Sequence, residues 1–210
     1  MLLVLVVSSQ FPMSAESMND LLVFLIMYLR TGHNNRLKIV NKLSILFDSD
    51  VDLEENLTDK ILQGFNGAPS TGQCRDLGYA LLLIQKEKRD KSKILFFSSG
   101  NASLNFIKCA FTARKLNIHV DCIIPNDGFV SQVSDVLKRP AFCISSGESL
   151  FEYLMGMLSI DFGRISRKNV HRFCICHNKE IQTGYLCPIC LGLYCKFVPL
   201  CKHCKTRFVF

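Results

Sequence analysis

The 210-residue chain lacks the features that mark several large classes of protein. Its apolar run Leu21–Leu29 is nine residues long, short of the roughly 20 that span a bilayer, so no transmembrane helix is expected. No basic segment precedes Leu2–Val7, which therefore reads as a buried strand and not as a secretory leader. The expectation is a soluble intracellular chain with reduced thiols. There is no low-complexity tract, no evident internal repeat, no Gly-x-Ser-x-Gly motif and no phosphate-cradling glycine loop, and the five histidines are scattered. Those absences leave no basis for assigning a catalytic residue. What is present is core-forming material. Hydrophobic residues make up 49% of the chain, including 16 Phe, against 20% charged, a composition that argues against global disorder.

Acidic residues are almost missing from the C-terminal end. Arg164–Phe210 holds nine Lys and Arg against Glu180 alone, a net +8, which leaves −1 on residues 1–163. A basic tail suits an acidic protein partner or a nucleic-acid backbone, and it also serves simply to solvate a small surface-rich module. Cysteine is equally uneven. Cys74, Cys109, Cys122 and Cys143 stand singly among apolar neighbours, where a thiol acts as a small hydrophobe. The other seven (Cys174, Cys176, Cys187, Cys190, Cys195, Cys201 and Cys204) crowd the basic end.

Apolar runs alternate with helical periodicity along the first 160 residues. Strands are expected at Leu2–Val7, in two runs within Leu37–Phe47, and at Lys93–Ser98, His119–Ile124 and Ala141–Ile144. Helices are expected at Ser14–Arg30, Asp52–Gln63, Cys74–Lys88, Ser103–Leu116, Phe129–Leu137 and Leu150–Leu158, with Gly67–Gly72 a loop. This pattern implies a doubly wound α/β domain over residues 1–160 with a mainly parallel sheet. The polar, basic stretch 161–172 reads as a linker to a C-terminal module over 173–210.

The chemistry lies in that module. Cys187-Pro-Ile-Cys190 and Cys201-Lys-His-Cys204 are two C-x2-C pairs. Each offers two thiolates to one tetrahedral ion, and two pairs complete a four-cysteine site for structural zinc. Such a site supplies on the order of 10 kcal/mol of folding free energy, which a module too small for its own core requires. Cys174, Cys176, His177 and Cys195 form a candidate second set. Their spacing is not that of a RING, since C-x-C-H is no RING opening and Cys195 stands alone. The alternative is that Cys174 and Cys176 pack beside Phe173 with His177 exposed. His203 is expected to face solvent.

The segment CICHNKEIQTGYLCPICLGLYCKFVPLCKHCKTRF (Cys174–Phe208) resembles the zinc module of one family. That family is the small core subunit of the transcription and DNA repair factor TFIIH, which pairs a von Willebrand A-like domain with a four-cysteine zinc finger. MLLVLVVSS, DLGYALLLIQK, KILFF and NFIKCAFTARKLNIHVDCIIP fall where that family's first strand and later helix–strand units occur. The resemblance implies a non-catalytic nuclear scaffold. It would bind the larger von Willebrand A/zinc-finger subunit and other core subunits, help hold the helicase subunits, and contact DNA only indirectly.

Many von Willebrand A domains hold a divalent cation through an Asp-x-Ser-x-Ser motif after the first strand and a further Asp from a later loop. Here the strands end in Ser8-Ser9-Gln10 and Ser98-Ser99-Gly100, and both carboxylates are missing; Thr71 alone binds nothing. A hard cation needs anionic oxygen ligands, so no Mg2+ is expected. A turn and helix cap suits Ser98–Asn101 better than a ligand site. The other functional class is a nucleic-acid-binding zinc ribbon, with Tyr194, Phe197 and Phe208 stacking on bases. Against it, Leu191, Leu193, Val198, Leu200 and Val209 make the tail apolar, which suits burial against protein.

Overall fold

A run of Leu and Val with no polar break is stable only where both faces are covered. Leu2–Val6 forms such a strand, β1, and all five of its residues are buried. β1 pairs in parallel with β2 (Arg36–Asn41) on one side and β4 (Ser92–Phe97) on the other, Val6 lying between Val40 and Phe96. β5 (His119–Ile124) and β6 (Ala141–Cys143) continue the parallel sheet beyond β4. β3 (Ser44–Asp48) turns back antiparallel on β2, giving the order β3-β2-β1-β4-β5-β6. In this computed structural model the described residues are 1–8, 11–66, 73–87, 91–99, 104–126, 129–136, 141–144, 149–158 and 172–207.

Strand alternation sends neighbouring side chains to opposite faces. Leu3, Leu5 and Val7 join one core with α1 (Ala15–Thr31), α2 (Leu57–Asn66) and α6 (Leu150–Leu158), through Phe24, Leu25, Ile61 and Leu154. Leu2, Val4 and Val6 join the other with α3 (Gln73–Glu87), α4 (Leu104–Lys115) and α5 (Phe129–Val136), through Leu77, Ala80, Phe106, Ile107 and Val133. This is the doubly wound α/β arrangement expected. Ser14 caps α1 as its position suggested, its Oγ accepting the Ser17 N–H at 3.1 Å.

One helix starts later than expected. The Asp52 carboxylate accepts the Asp48 N–H at 2.8 Å and closes a turn there. A 3-10 turn at Glu54–Asn56 follows before α2 begins at Leu57. Aspartate competes for backbone donors in this way, so the acidic segment 52–56 is turn instead of α-helix. The loop at 67–72 and the linker up to residue 171 lie outside the described residues. Among the described residues no helix is long and apolar enough to cross a membrane.

The C-terminal segment is a repeat, contrary to the reading from sequence. In three places a cysteine N–H donates to the carbonyl five residues on, and its own carbonyl accepts the N–H four residues on. The bonds are Cys174 to Lys179 and Asn178, Cys187 to Gly192 and Leu191, and Cys201 to Thr206 and Lys205, all at 2.8–2.9 Å. Asn178, Leu191 and Lys205 each adopt a left-handed φ of 52–61°. Each turn is closed by pairing of the flanking residues: Phe173 with Glu180, Leu186 with Leu193, and Leu200 with Arg207. The middle hairpin extends into two short strands, β7 (Tyr185–Leu186) and β8 (Leu193–Tyr194). The repeat escapes sequence inspection because it resides in backbone bonds, which almost any side chain permits.

Candidate metal centre

The second and third hairpins bring the two C-x2-C pairs face to face. Cys187 Sγ lies 3.7 Å from Cys204 Sγ, and Cys190 Sγ lies 3.4 Å from Cys201 Sγ. All four sulfurs fall within 4.8 Å of one another. Four thiolates at Zn–S distances of about 2.3 Å stand about 3.8 Å apart along a tetrahedral edge. The donor set, its spacing and its closure against water therefore fit a tetrahedral ion. Cys187, Cys190 and Cys201 are fully buried, and Cys204 is partly so.

Backbone and side-chain donors converge on these sulfurs. Burial works to raise the Cys201 thiol, but the Cys204 N–H, the Tyr194 hydroxyl and the neighbouring thiols outweigh it and hold the group at about 6. Burial pushes the Cys190 thiol far up, reinforced by its hydrogen bond to Cys201, and burial raises Cys187 as well. Within the cluster, charge therefore gathers on Cys201 while burial holds Cys187 and Cys190 toward their protonated forms, and a cation there would offset the cost of ionising those two.

Tyr194 is a supporting residue that the sequence did not reveal. Its side chain is 1% exposed, its hydroxyl meets Cys201 Sγ at 3.2 Å, and the same oxygen accepts the Lys202 N–H at 2.9 Å. Burial and then the Cys201 thiolate push its phenol up to about 12. The Thr206 hydroxyl lies 3.0 Å from Cys204 Sγ in a similar role. The one hint was position, since Tyr194 precedes Cys195 within an apolar stretch. Its burial also removes it from the base-stacking set; Phe197 is 45% exposed, and Phe208 lies outside the described residues.

Cys174, Cys176, His177 and Cys195 also converge, with their ligand atoms all within 4.8 Å of one another. Cys174 is buried and His177 is exposed. Both clusters can hold a metal ion. His203 faces solvent, as expected. The four isolated cysteines lie in the α/β domain, where Cys122 is 2% exposed and burial pushes its thiol up to about 12.

At the C-terminal edge of the sheet, Ser8 and Ser98 are buried at the ends of the adjacent strands β1 and β4. Ser9, Gln10, Thr71, Gly100 and Asn101 lie outside the described residues. Among the described residues, the groups of three or more His, Cys, Asp or Glu able to hold an ion are the two cysteine clusters.

A family model described as Transcription factor Tfb4 matches residues 74–205, which take in α3 through both cysteine clusters. The chain belongs to the Tfb4 family. Among curated Tfb4 relatives it is 26% identical over 248 residues to Schizosaccharomyces pombe general transcription and DNA repair factor IIH subunit tfb4, covering 96% of this chain and 83% of that one. It is 26% identical over 176 residues to Dictyostelium discoideum general transcription factor IIH subunit 3, covering 76% of this chain and 46% of that one. Among solved structures it is similar to the TFIIH p34 N-terminal domain, with a TM-score of 0.54 at 14% identity over 74% of this chain and 95% of that one. That likeness establishes the fold as von Willebrand A-like.

Proposed function

We propose that this chain is a non-catalytic structural subunit of the TFIIH core complex, acting in transcription initiation by RNA polymerase II and in nucleotide-excision repair. The observation that carries the reading is the Tfb4 match across residues 74–205, which joins the α/β domain and the cysteine module in one family pattern. The fission-yeast relative, matched over 96% of this chain, is named as a subunit of that factor. The non-catalytic part rests on the sequence, which offers no nucleophile–base motif, and on cysteines gathered in sets that suit structural metal.

In this reading residues 1–160 form the A-like domain, 161–172 the linker and 173–210 the zinc module. Cys187, Cys190, Cys201 and Cys204 hold a structural zinc ion, which supplies folding free energy and no reaction step. The A-like domain works without Mg2+. The partners are the larger von Willebrand A/zinc-finger subunit and other core subunits in the nucleus, with DNA reached indirectly. Solvent-facing Tyr185, Leu186, Ile189, Phe197 and Leu200 give the module an apolar exterior that suits protein contact better than phosphate contact.

Affinity purification of the tagged full-length chain, with mass-spectrometric identification of stoichiometric companions, tests the assignment. Recovery of helicase subunits with a second von Willebrand A/zinc protein is expected. Recovery of nucleic acid as the main companion would instead support the zinc-ribbon reading.

A further inference from the structure

The three hairpins share one frame, and that frame gives C-x-C-H a meaning its spacing hides. In the second and third hairpins the metal-facing residues are the first and fourth of the turn, Cys187 with Cys190 and Cys201 with Cys204. The first hairpin has the same two backbone bonds, the same left-handed residue and the same closing pair, and its first and fourth residues are Cys174 and His177. It is a C-x2-H knuckle with an extra thiol at its third position. The third residues of the other two turns, Ile189 and His203, are exposed, so this position lies open to a further ligand.

We propose that this first knuckle holds a second zinc ion, through Cys174 Sγ, Cys176 Sγ, His177 Nδ1 and Cys195 Sγ. Cys176 Sγ lies 3.3 Å from Cys195 Sγ, and His177 Nδ1 lies 3.2 Å from Cys195 Sγ and 4.0 Å from Cys174 Sγ. Thiolate and imidazole ligands on one tetrahedral zinc stand about 3.6–3.8 Å apart, and these separations straddle that value. Three sulfurs and one ring nitrogen are a zinc donor set, too soft for magnesium or calcium. Cys174 is buried and Cys176 partly so, but Cys195 and His177 are exposed, so burial of apolar surface gives no reason for those two to gather on the thiols.

β8 joins this site to the four-cysteine one. Tyr194 turns its hydroxyl to Cys201, while the next residue, Cys195, turns to the first knuckle, as strand alternation requires. The Ile175 N–H donates to the Leu193 carbonyl at 2.8 Å and fastens the first knuckle beside β8. The module is thus binuclear with ligand sets that alternate along the chain, though not at RING spacing: Cys174, Cys176, His177 and then Cys195 serve one site, and Cys187, Cys190 and then Cys201, Cys204 serve the other.

The inference rests on the reading of the four-cysteine cluster as zinc, since the shared hairpin takes its meaning from that site. Native mass spectrometry of the purified full-length chain counts the ions. Two zinc ions per chain are expected, falling to one in Cys176→Ser/Cys195→Ser with the four-cysteine site retained. His177→Ala should likewise release one ion at a chelator concentration that leaves the other bound. One ion in the wild-type chain, unchanged in Cys176→Ser/Cys195→Ser, would overturn the second site and leave the first standing. A wild-type chain without zinc would overturn both. The wild-type count decides even if a variant fails to fold.

Discussion

At the scale of single residues, the four-cysteine cluster is bordered by the buried hydroxyl of Tyr194, 3.2 Å from Cys201 Sγ. The C-x2-C pairs were legible because a fixed spacing is itself the chemical requirement. Tyr194 was not, because nothing in its identity shows that its hydroxyl would meet Cys201 across a turn. Groups that bond a ligand set its orientation and basicity, and their loss typically weakens metal binding 10- to 100-fold. Tyr194→Phe keeps the buried ring and deletes the hydroxyl, leaving the Lys202 N–H without that acceptor. It is expected to lower zinc affinity about tenfold and to destabilise the module by about 1 kcal/mol. Competition with a calibrated chelator measures the first quantity, and an unchanged affinity would show that the contact with Cys201 is incidental.

Between elements, the joint of α3 with the β2–β3 hairpin is the informative one. Both strands and the helix were readable from periodicity, but the contact that locks them was not. Lys42 and Leu43, in the turn, have left-handed φ values of 51° and 58° without being glycine. Asp76, in the first turn of α3 and 2% exposed, accepts the Leu43 N–H at 2.7 Å. Its other oxygen is buried with no hydrogen-bond partner. Burial raises its pKa from 3.8, and the N–H groups of Leu43 and Lys42 offset this only in part. A raised carboxylate pKa means that the folded chain binds the proton more tightly than the unfolded one. The Asp76 contribution is therefore fully present below the unfolded pKa and is lost as pH rises through the folded value. Asp76→Asn keeps an acceptor for Leu43 and removes the charge. It should raise the melting temperature at pH 7 by a few degrees, about 1 kcal/mol, and flatten its fall between mildly acidic and neutral pH. Thermal unfolding of both proteins across that range checks it, and a less stable variant with the wild-type slope would sink the idea.

For the whole molecule, strand–helix alternation was enough to give the doubly wound sheet, because a parallel sheet covered on both faces leaves a plain apolar signature. The hairpin repeat was invisible for the opposite reason, since a left-handed residue and two backbone bonds can be built from Asn178, Leu191 or Lys205 alike. The missing carboxylates at the C-terminal edge of the sheet carry a global expectation. Mg2+ added to the full-length chain should leave its melting temperature unchanged. A rise that grows with the logarithm of Mg2+ concentration, as ligand linkage demands, would restore a cation to that edge. The placement of β1 has a further consequence, for synthesis. Among the described strands β1 is made before both of its neighbours yet sits between them, and the second of these, β4, ends at Phe97. At about 5–20 residues per second, a ribosome takes roughly five to twenty seconds to supply that partner. Throughout that interval Leu2–Val6 is a fully apolar ribbon with an open edge, so the nascent chain needs shelter from a chaperone until β4 arrives. The cysteine hairpins, whose bonds span only four or five residues, need wait for no distant partner.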